Sequence, residues 1–316
     1  MKILYLCNKK TFDTKMSRVR FHSMDAISKV SELIYSGLGW GNYDISKTVQ
    51  ENIDKIYSGS CPDIVVAYKP LDLKCFSDIK TIKCTRYNEM WDVKKTSNEI
   101  ALSKMDIVIC HHLNDMLYYV KKFPSVKFVN ISHCAEKTIY RDYGEKKTND
   151  VLLTGAIGHH YPFRARLRGI IGIHLSKIVK CKILGHPGDP GLPFQNIPGL
   201  TGKGYAQEIN RSKITLTCSS RYKYRLGKYV EIPMCASLLS ADLPNEDQDF
   251  FKQFMLVLDP SWTDAQIVSK IVEYVKDDKK RNEMIQKGLE LNGEYTQEKY
   301  AERFINAMEK FLKEKK

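Results

Sequence analysis

The sequence of 316 residues predicts an α/β fold with two open, parallel sheets. Three observations lead to this prediction. Short runs of Val, Ile and Leu recur along the chain, amphipathic segments separate them, and a polar break interrupts the series near the middle. Continuous apolar runs are typical of strands that are buried on both faces of a parallel sheet. Strands that alternate with helices imply right-handed βαβ units.

The individual elements follow from these patterns. Strands are predicted at residues 2–7, 64–68, 107–110, 127–131, 151–156, 182–185, 213–218, 237–241 and 255–258. Helices are predicted for the amphipathic segments 17–36, 114–122, 164–179 and 264–275, and residues 295–316 form a further basic amphipathic helix.

The polar break covers residues 142–150, which contain Gly144 and show no apolar period. Such a segment is typical of a linker between domains, and a new strand begins directly after it at Val151. We therefore divide the chain into two Rossmann-like domains, 1–148 and 149–316, and expect the last helix to pack partly against the first domain. Open parallel sheets bind ligands at the carboxyl ends of their strands, so two such domains facing across a cleft would suit an enzyme that joins two substrates.

Composition narrows the class of protein only in part. The net charge of +13 is compatible with an acidic small ligand, a nucleic acid or an anionic membrane surface, and the basic residues are spread along the chain. The sequence shows neither a signal peptide nor an apolar stretch of about 18 to 20 residues. We therefore expect a cytoplasmic protein, with attachment at a membrane surface left open.

Two glycine-containing turns follow predicted strands in the second half. The turn at Gly155 lies before a helix that begins near Pro162 and carries Arg164. Glycine lets the backbone approach a ligand and a helix N-terminus favours anions, so this turn predicts phosphate binding, with a plain βα turn as the alternative. The turn at Gly185 and His186 could hold a nucleobase through backbone groups or could be purely structural.

The most informative segment is 218–244. A strand leads into a basic loop that contains Arg225 and Lys228, a short helix carries Glu231, and a second apolar strand follows. A carboxylate can accept two hydrogen bonds from a vicinal diol, and nearby Lys or Arg side chains can neutralise a diphosphate. A nucleotide sugar requires both features within a short distance of each other.

This segment resembles the donor-binding signature of GT-B glycosyltransferases of the "group 1" and spore-maturation-like kind. Their pattern is Lys or Arg, two residues, Glu, a helix end with small residues, and an apolar strand. Lys228 and Glu231 match the basic and acidic positions. The resemblance extends over about residues 150–312, and the first half of the chain is similar in layout only.

The resemblance implies a nucleotide-sugar donor domain at 149–316 and an acceptor domain at 1–148. It implies that Glu231 holds the ribose hydroxyls, that the Gly155 turn corresponds to the first loop of the donor domain, and that residues 184–186 contact the base. The predicted donor-binding residues are Gly155, Arg164, Gly185, His186, Arg225, Lys228 and Glu231. The sequence departs from the family at Lys223, where better-known relatives carry a second Glu, and at Ala236, where they usually carry Gly.

Catalytic candidates in the first half are Asp92, which could act as a general base beside Trp91, and His112, which follows a predicted strand. A loop or core role is the alternative for both. No metal site is predicted, because the scattered Cys and His residues fit no zinc template. The sequence Asp247-Gln248-Asp249 is interpreted as the start of a helix.

These observations predict a hexosyl-type glycosyltransferase that moves a sugar from a nucleotide-sugar donor to an acceptor. No cofactor or obligatory metal is expected. The acceptor is left open among glycan, lipid and nucleic acid, and could be polyanionic or membrane-associated. The oligomeric state is not predicted. The alternatives are a nucleotide-sugar epimerase of the same fold and a basic nucleic-acid-binding protein.

Overall fold

The computed structural model describes residues 1–14, 19–189, 191–192 and 197–315, without the side chains of residues 19 and 20. The chain forms two compact units. Unit 1 comprises Met1–Ser132 and Gln297–Lys316, and unit 2 comprises His133–Thr296.

Unit 1 contains a parallel sheet with the order β2-β1-β3-β4-β5-β6, counted over the described residues. Its strands are β1 (Lys2–Leu6), β2 (Glu32–Ser36), β3 (Ile64–Ala67), β4 (Ile82–Tyr87), β5 (Ile107–Cys110) and β6 (Lys127–Asn130). The helices are α1 (Lys9–Thr14), α2 (Val19–Ser28), α3 (Val49–Tyr57), α4 (Val93–Leu102), α5 (Leu113–Lys122) and α12 (Gln297–Lys315).

Unit 2 contains a separate parallel sheet with the order β11-β10-β9-β7-β8 over its described residues. The strands are β7 (Asn149–Leu153), β8 (Cys181–Ile183), β9 (Ser212–Leu216), β10 (Leu238–Ala241) and β11 (Leu256–Val257). The helices are α6 (Pro162–Ile173), α7 (Gly202–Asn210), α8 (Lys228–Met234), α9 (Gln248–Phe251), α10 (Asp264–Lys276) and α11 (Asp278–Asn292).

The sheet of unit 2 is buried on both faces, as its continuous apolar strands predict. Leu152 packs in one cluster with residues of α7 and α8. Its neighbours Val151 and Leu153 pack in a second cluster with residues of α6 and α10. Successive side chains of a strand point to opposite faces, so β7 supplies both layers of the core. The predicted α/β class with two parallel sheets is confirmed.

Two strands of unit 1, β2 and β4, differ from the prediction. Residues 17–36 are not one helix, because α2 ends at Ser28 and Glu32–Ser36 pairs with β1 as an edge strand. The apolar and aromatic residues Leu33, Ile34 and Tyr35 suit a strand, and pairing with β1 overrides the helical pattern. Strand β4 was not predicted, because its sequence is partly polar. Arg18, near the start of the predicted helix 17–36, lies outside the described residues.

The units divide at 132/133, earlier than the predicted boundary near 148. Residues 142–150 are built into unit 2 and do not form a free linker. The Glu145 amide donates to Asn210 Oδ1 (3.1 Å), and Lys147 Nζ donates to the carbonyl oxygen of Ala236 (2.6 Å). The final helix α12 belongs to unit 1, as expected for its packing. Within the described residues, no helix is both long and apolar enough to cross a bilayer.

Candidate functional site

The turn after β7 brings the backbone of Gly155 against two cationic side chains. Gly155 has a φ of +103°, in the region that favours glycine. A Cβ at this position would lie 2.7 Å from Arg164 Nη1 and 2.8 Å from Lys228 Cε. The turn therefore requires glycine both for its backbone conformation and for the space that the two cations occupy.

Arg164 lies in the first turn of α6, which begins at Pro162 as predicted, and its side chain is buried. Its Nη1 donates to the carbonyl oxygen of Ala156 (2.7 Å), and its Nη2 donates to Thr217 Oγ1 (3.0 Å). The guanidinium also lies 4.4 Å from the ring centroid of Tyr161. These contacts fix the guanidinium between the ends of β7 and β9. Its Nε has no hydrogen-bond partner in the described part of the chain.

Lys228 is the first residue of α8, and Tyr205 of α7 supports its side chain. The Lys228 ammonium lies 5.1 Å from the Tyr205 ring centroid. The Tyr205 hydroxyl accepts a hydrogen bond from Thr154 Oγ1 (3.1 Å), so Tyr205 connects Lys228 to the residue before Gly155. Burial by itself would lower the pKa of Lys228. The interactions of the ammonium with Tyr205 and Glu231 have the larger effect, so the pKa is raised. The side chain is therefore held as a cation.

Glu231 lies in the first turn of α8 and is buried. Its Oε1 would be 3.3 Å from a Cβ on Gly227, so the carboxylate lies close to the backbone that begins this helix. Burial raises the pKa of Glu231, while the charge of Lys228 and a hydrogen bond with Tyr140 act in the opposite direction. The carboxylate thus lies near a cation and does not point to bulk solvent.

The turn after β8 carries Gly185 and His186. A Cβ on Gly185 would be 2.6 Å from Leu192 Cδ1, and the His186 amide donates to Asp189 Oδ2 (2.8 Å). Burial lowers the pKa of His186, and the positive charges of Lys228 and Arg164 lower it further. His186 therefore lies within electrostatic range of both cations. The structure brings together Gly155, Arg164, Gly185, His186, Lys228 and Glu231 of the predicted donor residues.

Arg225 has a different environment from the one predicted. Its buried guanidinium donates from Nη1 to Asp247 Oδ2 (2.8 Å) and lies 3.9 Å from the ring centroid of Tyr295. Its Nε and Nη2 have no hydrogen-bond partner among the described residues, and none of its contacts there is with Gly155, Arg164 or Lys228. These contacts anchor the loop before α8 and do not present Arg225 beside the other two cations.

Asp242 directly follows β10 and is buried, and it is a further residue of this region that the sequence does not predict. Its carboxylate accepts hydrogen bonds from the Ser219 amide (2.9 Å), from Ser219 Oγ (2.6 Å) and from Lys223 Nζ (2.7 Å). Lys223, at the position where relatives carry Glu, is thus ion-paired to the next strand. The only sequence signal for Asp242 is an acidic residue at the end of an apolar strand.

The two catalytic candidates of unit 1 are both helix N-caps. Asp92 precedes α4 and accepts a hydrogen bond from the Lys95 amide (3.0 Å). His112 precedes α5 and is fully buried. Their catalytic roles remain predictions.

The segment at Asp247 begins a helix, as predicted, because α9 starts at Gln248. The Asp247 carboxylate is paired with Arg225. In the described part of the chain, no cluster of three or more His, Cys, Asp or Glu side chains could hold a metal ion.

The site of unit 2 therefore combines two cationic side chains with a carboxylate. Arg164 and Lys228 both lie against the Gly155 turn, and glycine has no Cβ that would block the approach of a ligand. Such an arrangement suits phosphate oxygens. Glu231 lies one helical turn from Lys228 and can accept hydrogen bonds from two adjacent hydroxyls. A nucleoside diphosphate offers both groups.

Residues 165–306 match the model of the glycosyl transferase-like family. A search of curated protein sequences finds no match.

Several solved structures share the fold. A sucrose-phosphate synthase from Thermosynechococcus elongatus matches with a TM-score of 0.65 and 10% identity over 98% of each chain. A glycosyltransferase from Rickettsia africae matches with a TM-score of 0.62 and 13% identity over 98% of each chain. An alpha-glucosyltransferase in complex with UDP and a 13-mer DNA containing a HMU base matches with a TM-score of 0.65 and 11% identity, over 98% of this chain and 99% of that one.

A pneumococcal O-GlcNAc transferase in complex with UDP and GlcNAc is larger, and this chain covers 57% of its length (TM-score 0.52, 11% identity, 79% of this chain). The fold and the family match together confirm the resemblance to the GT-B glycosyltransferases.

Proposed function

We propose that the protein is a nucleotide-sugar-dependent glycosyltransferase whose donor site lies at the carboxyl ends of the strands of unit 2. The observation that carries this proposal is the Gly155 turn, where the backbone lies directly against Arg164 and Lys228. Two cations held against a turn that admits no Cβ form a site for a diphosphate.

In this proposal the donor diphosphate lies against Gly155, and the ribose hydroxyls hydrogen-bond to Glu231. The turn at Gly185 and His186 follows the neighbouring strand β8 and would contact the base. Binding would position the sugar for transfer, and Arg164 and Lys228 would stabilise the charge that develops on the leaving diphosphate. Since two side chains supply this positive charge, we propose transfer without an obligatory metal ion, which activity in EDTA would test.

A hexose is the proposed sugar class. The names of the similar structures include an alpha-glucosyltransferase and an O-GlcNAc transferase, and both of these sugars are hexoses. The acceptor class stays open among glycan, lipid and nucleic acid, with DNA present in one of the similar structures. The comparisons give no support to the alternative functions of an epimerase or a DNA-binding module.

Calorimetric titration with UDP tests the donor site. Lys228→Ala should weaken UDP binding about 5- to 150-fold, equivalent to about 1 to 3 kcal/mol for a charge-assisted hydrogen bond. The matched control is Lys279→Ala, which removes the same charge from an exposed position on α11 of the same unit. Equal UDP affinity in wild type and Lys228→Ala would contradict the proposal.

A further inference from the structure

Helices α4 and α5 of unit 1 lie side by side on the sheet. They connect β4 to β5 and β5 to β6, three neighbouring parallel strands, and right-handed crossovers place both helices on the same face. The Asp115 carboxylate accepts from the Met90 amide (3.0 Å), and the Tyr119 hydroxyl donates to the Met90 carbonyl oxygen (3.0 Å). These bonds hold α5 against the segment that leads into α4. The outer sides of the two helices therefore form one surface.

This surface, the α4/α5 face, exposes large apolar side chains. Leu117, Tyr118 and Val120 of α5 are 52%, 49% and 43% exposed, and Leu102 at the end of α4 is also exposed. Leu117 and Val120 are three residues apart, and Lys121 follows Leu117 by four, so these three side chains share one side of the helix. Apolar side chains and a lysine thus point outward together.

The charge on the α4/α5 face is positive and unbalanced. Four exposed lysines contribute to it: Lys94, Lys95, Lys121 and Lys122. Within the described residues none of them forms an ion pair, whereas other lysines of unit 1 do, such as Lys83 with Asp106 (3.5 Å), Lys104 with Asp78 (3.5 Å) and Lys127 with Glu314 (3.0 Å).

The carboxylates of this region are engaged elsewhere. Asp115 is buried against Met90, Glu99 accepts a hydrogen bond from the Tyr87 hydroxyl, and Asp92 caps α4. In the described residues none of these carboxylates forms an ion pair with the four lysines, whose ammonium groups therefore stay available to an anionic partner.

We propose that the α4/α5 face docks onto an anionic lipid bilayer. Apolar side chains on one side of a surface helix enter the boundary between head groups and acyl chains, and lysines beside them bind the lipid phosphates. The aliphatic part of a lysine can lie along the apolar region while its ammonium group reaches the phosphates. A nucleic acid would use the lysines but not the leucine and valine, because its outer surface is phosphate and sugar. The combination favours a membrane.

Sedimentation with sucrose-loaded vesicles tests this inference with the full-length protein. Vesicles of phosphatidylcholine alone are compared with vesicles containing 30% phosphatidylglycerol (about one anionic lipid in three). The wild type should bind the anionic vesicles and be released by salt. Lys121→Gln/Lys122→Gln should reduce the partition coefficient about 25-fold, since each lysine near the surface contributes about fivefold.

A second variant, Leu117→Glu/Val120→Glu, should abolish binding even at low salt. Its matched control is Ile173→Glu/Ile178→Glu, which makes the same change at exposed apolar positions of unit 2 and should bind like wild type. Thermal unfolding checks that each variant is folded.

Three results would overturn the proposal. Equal binding to neutral and anionic vesicles would show that the lysines do not contribute to binding. An equal loss of vesicle binding in Ile173→Glu/Ile178→Glu would show that binding does not depend on the α4/α5 face. Binding of a DNA oligonucleotide that the lysine variant loses, together with vesicle binding that it retains, would assign the face to nucleic acid instead.

Discussion

Gly155→Ala is the substitution whose effect can best be worked out from the structure. An L-residue at the φ of +103° is strained, which costs about 1 to 2 kcal/mol. The added methyl would overlap Arg164 Nη1 and Lys228 Cε at 2.7 and 2.8 Å. The Lys228 side chain can shift, but the Arg164 guanidinium is fixed by its bonds to Ala156 and Thr217. Overpacking of this kind costs about 1 to 3 kcal/mol.

The two contributions together should destabilise unit 2 by about 2 to 5 kcal/mol, which corresponds to a fall in Tm of about 4 to 20 °C. UDP affinity should fall about tenfold or more, because the Lys228 side chain must shift away from the phosphate position. Thermal unfolding and calorimetric titration measure the two effects.

Gly158→Ala is the matched control for this substitution. It lies in the same loop, has no atom within 4 Å of an added Cβ and has no positive φ. Wild-type stability and UDP affinity in Gly155→Ala, or equal losses in Gly158→Ala, would refute the reasoning.

Three further substitutions test the supports of the site. Glu231→Gln should weaken UDP binding about 5- to 150-fold, or about 1 to 3 kcal/mol. Burial raises the pKa of Glu231, so UDP affinity should fall more steeply with decreasing pH in the wild type than in the Gln variant, in which only the phosphate of UDP and other groups titrate. Titrations of both proteins at about pH 5 and pH 8 would measure the difference, and an equal change in affinity in the two would contradict it. Tyr205→Phe removes the hydroxyl that connects Thr154 to the support of Lys228, and should weaken UDP binding about three- to tenfold with little change in Tm; unchanged affinity would show that Lys228 does not depend on this hydroxyl. Asp242→Asn removes the charge that holds Ser219, and should lower the free energy of unfolding in urea by about 1 to 3 kcal/mol; a wild-type midpoint would exclude this structural role.

The strands that the sequence predicts correctly are those whose own residues are mostly apolar. β3 and β5 are continuous apolar runs and are recognisable without knowledge of their neighbours. β4 is different, because distant residues pair with its polar side chains: the Lys83 ammonium pairs with Asp106, and the Arg86 guanidinium donates to His111. A local pattern does not contain that information, so β4 was missed.

The same distinction applies to the site. Lys228 and Glu231 occupy one short helix, so their spacing in the sequence predicts their proximity. The environment of Arg225 depends on Asp247 and Tyr295, which lie 22 and 70 residues further along the chain. No local signal shows that these side chains would surround the guanidinium and turn it away from the Gly155 turn.

Unit 1 is built from two separate segments of the chain, and this affects how the protein folds during synthesis. Unit 2 is one continuous stretch, but unit 1 is completed only by α12, which buries Tyr300, Phe304 and Met308. The ribosome therefore finishes unit 2 before it supplies the helix that unit 1 requires. A premature stop before Gln297 would leave unit 2 whole, while unit 1 would expose the apolar surface that α12 covers. A C-terminal truncation that removes only α12 would thus make unit 1, which is synthesised first, a target for chaperones and proteases.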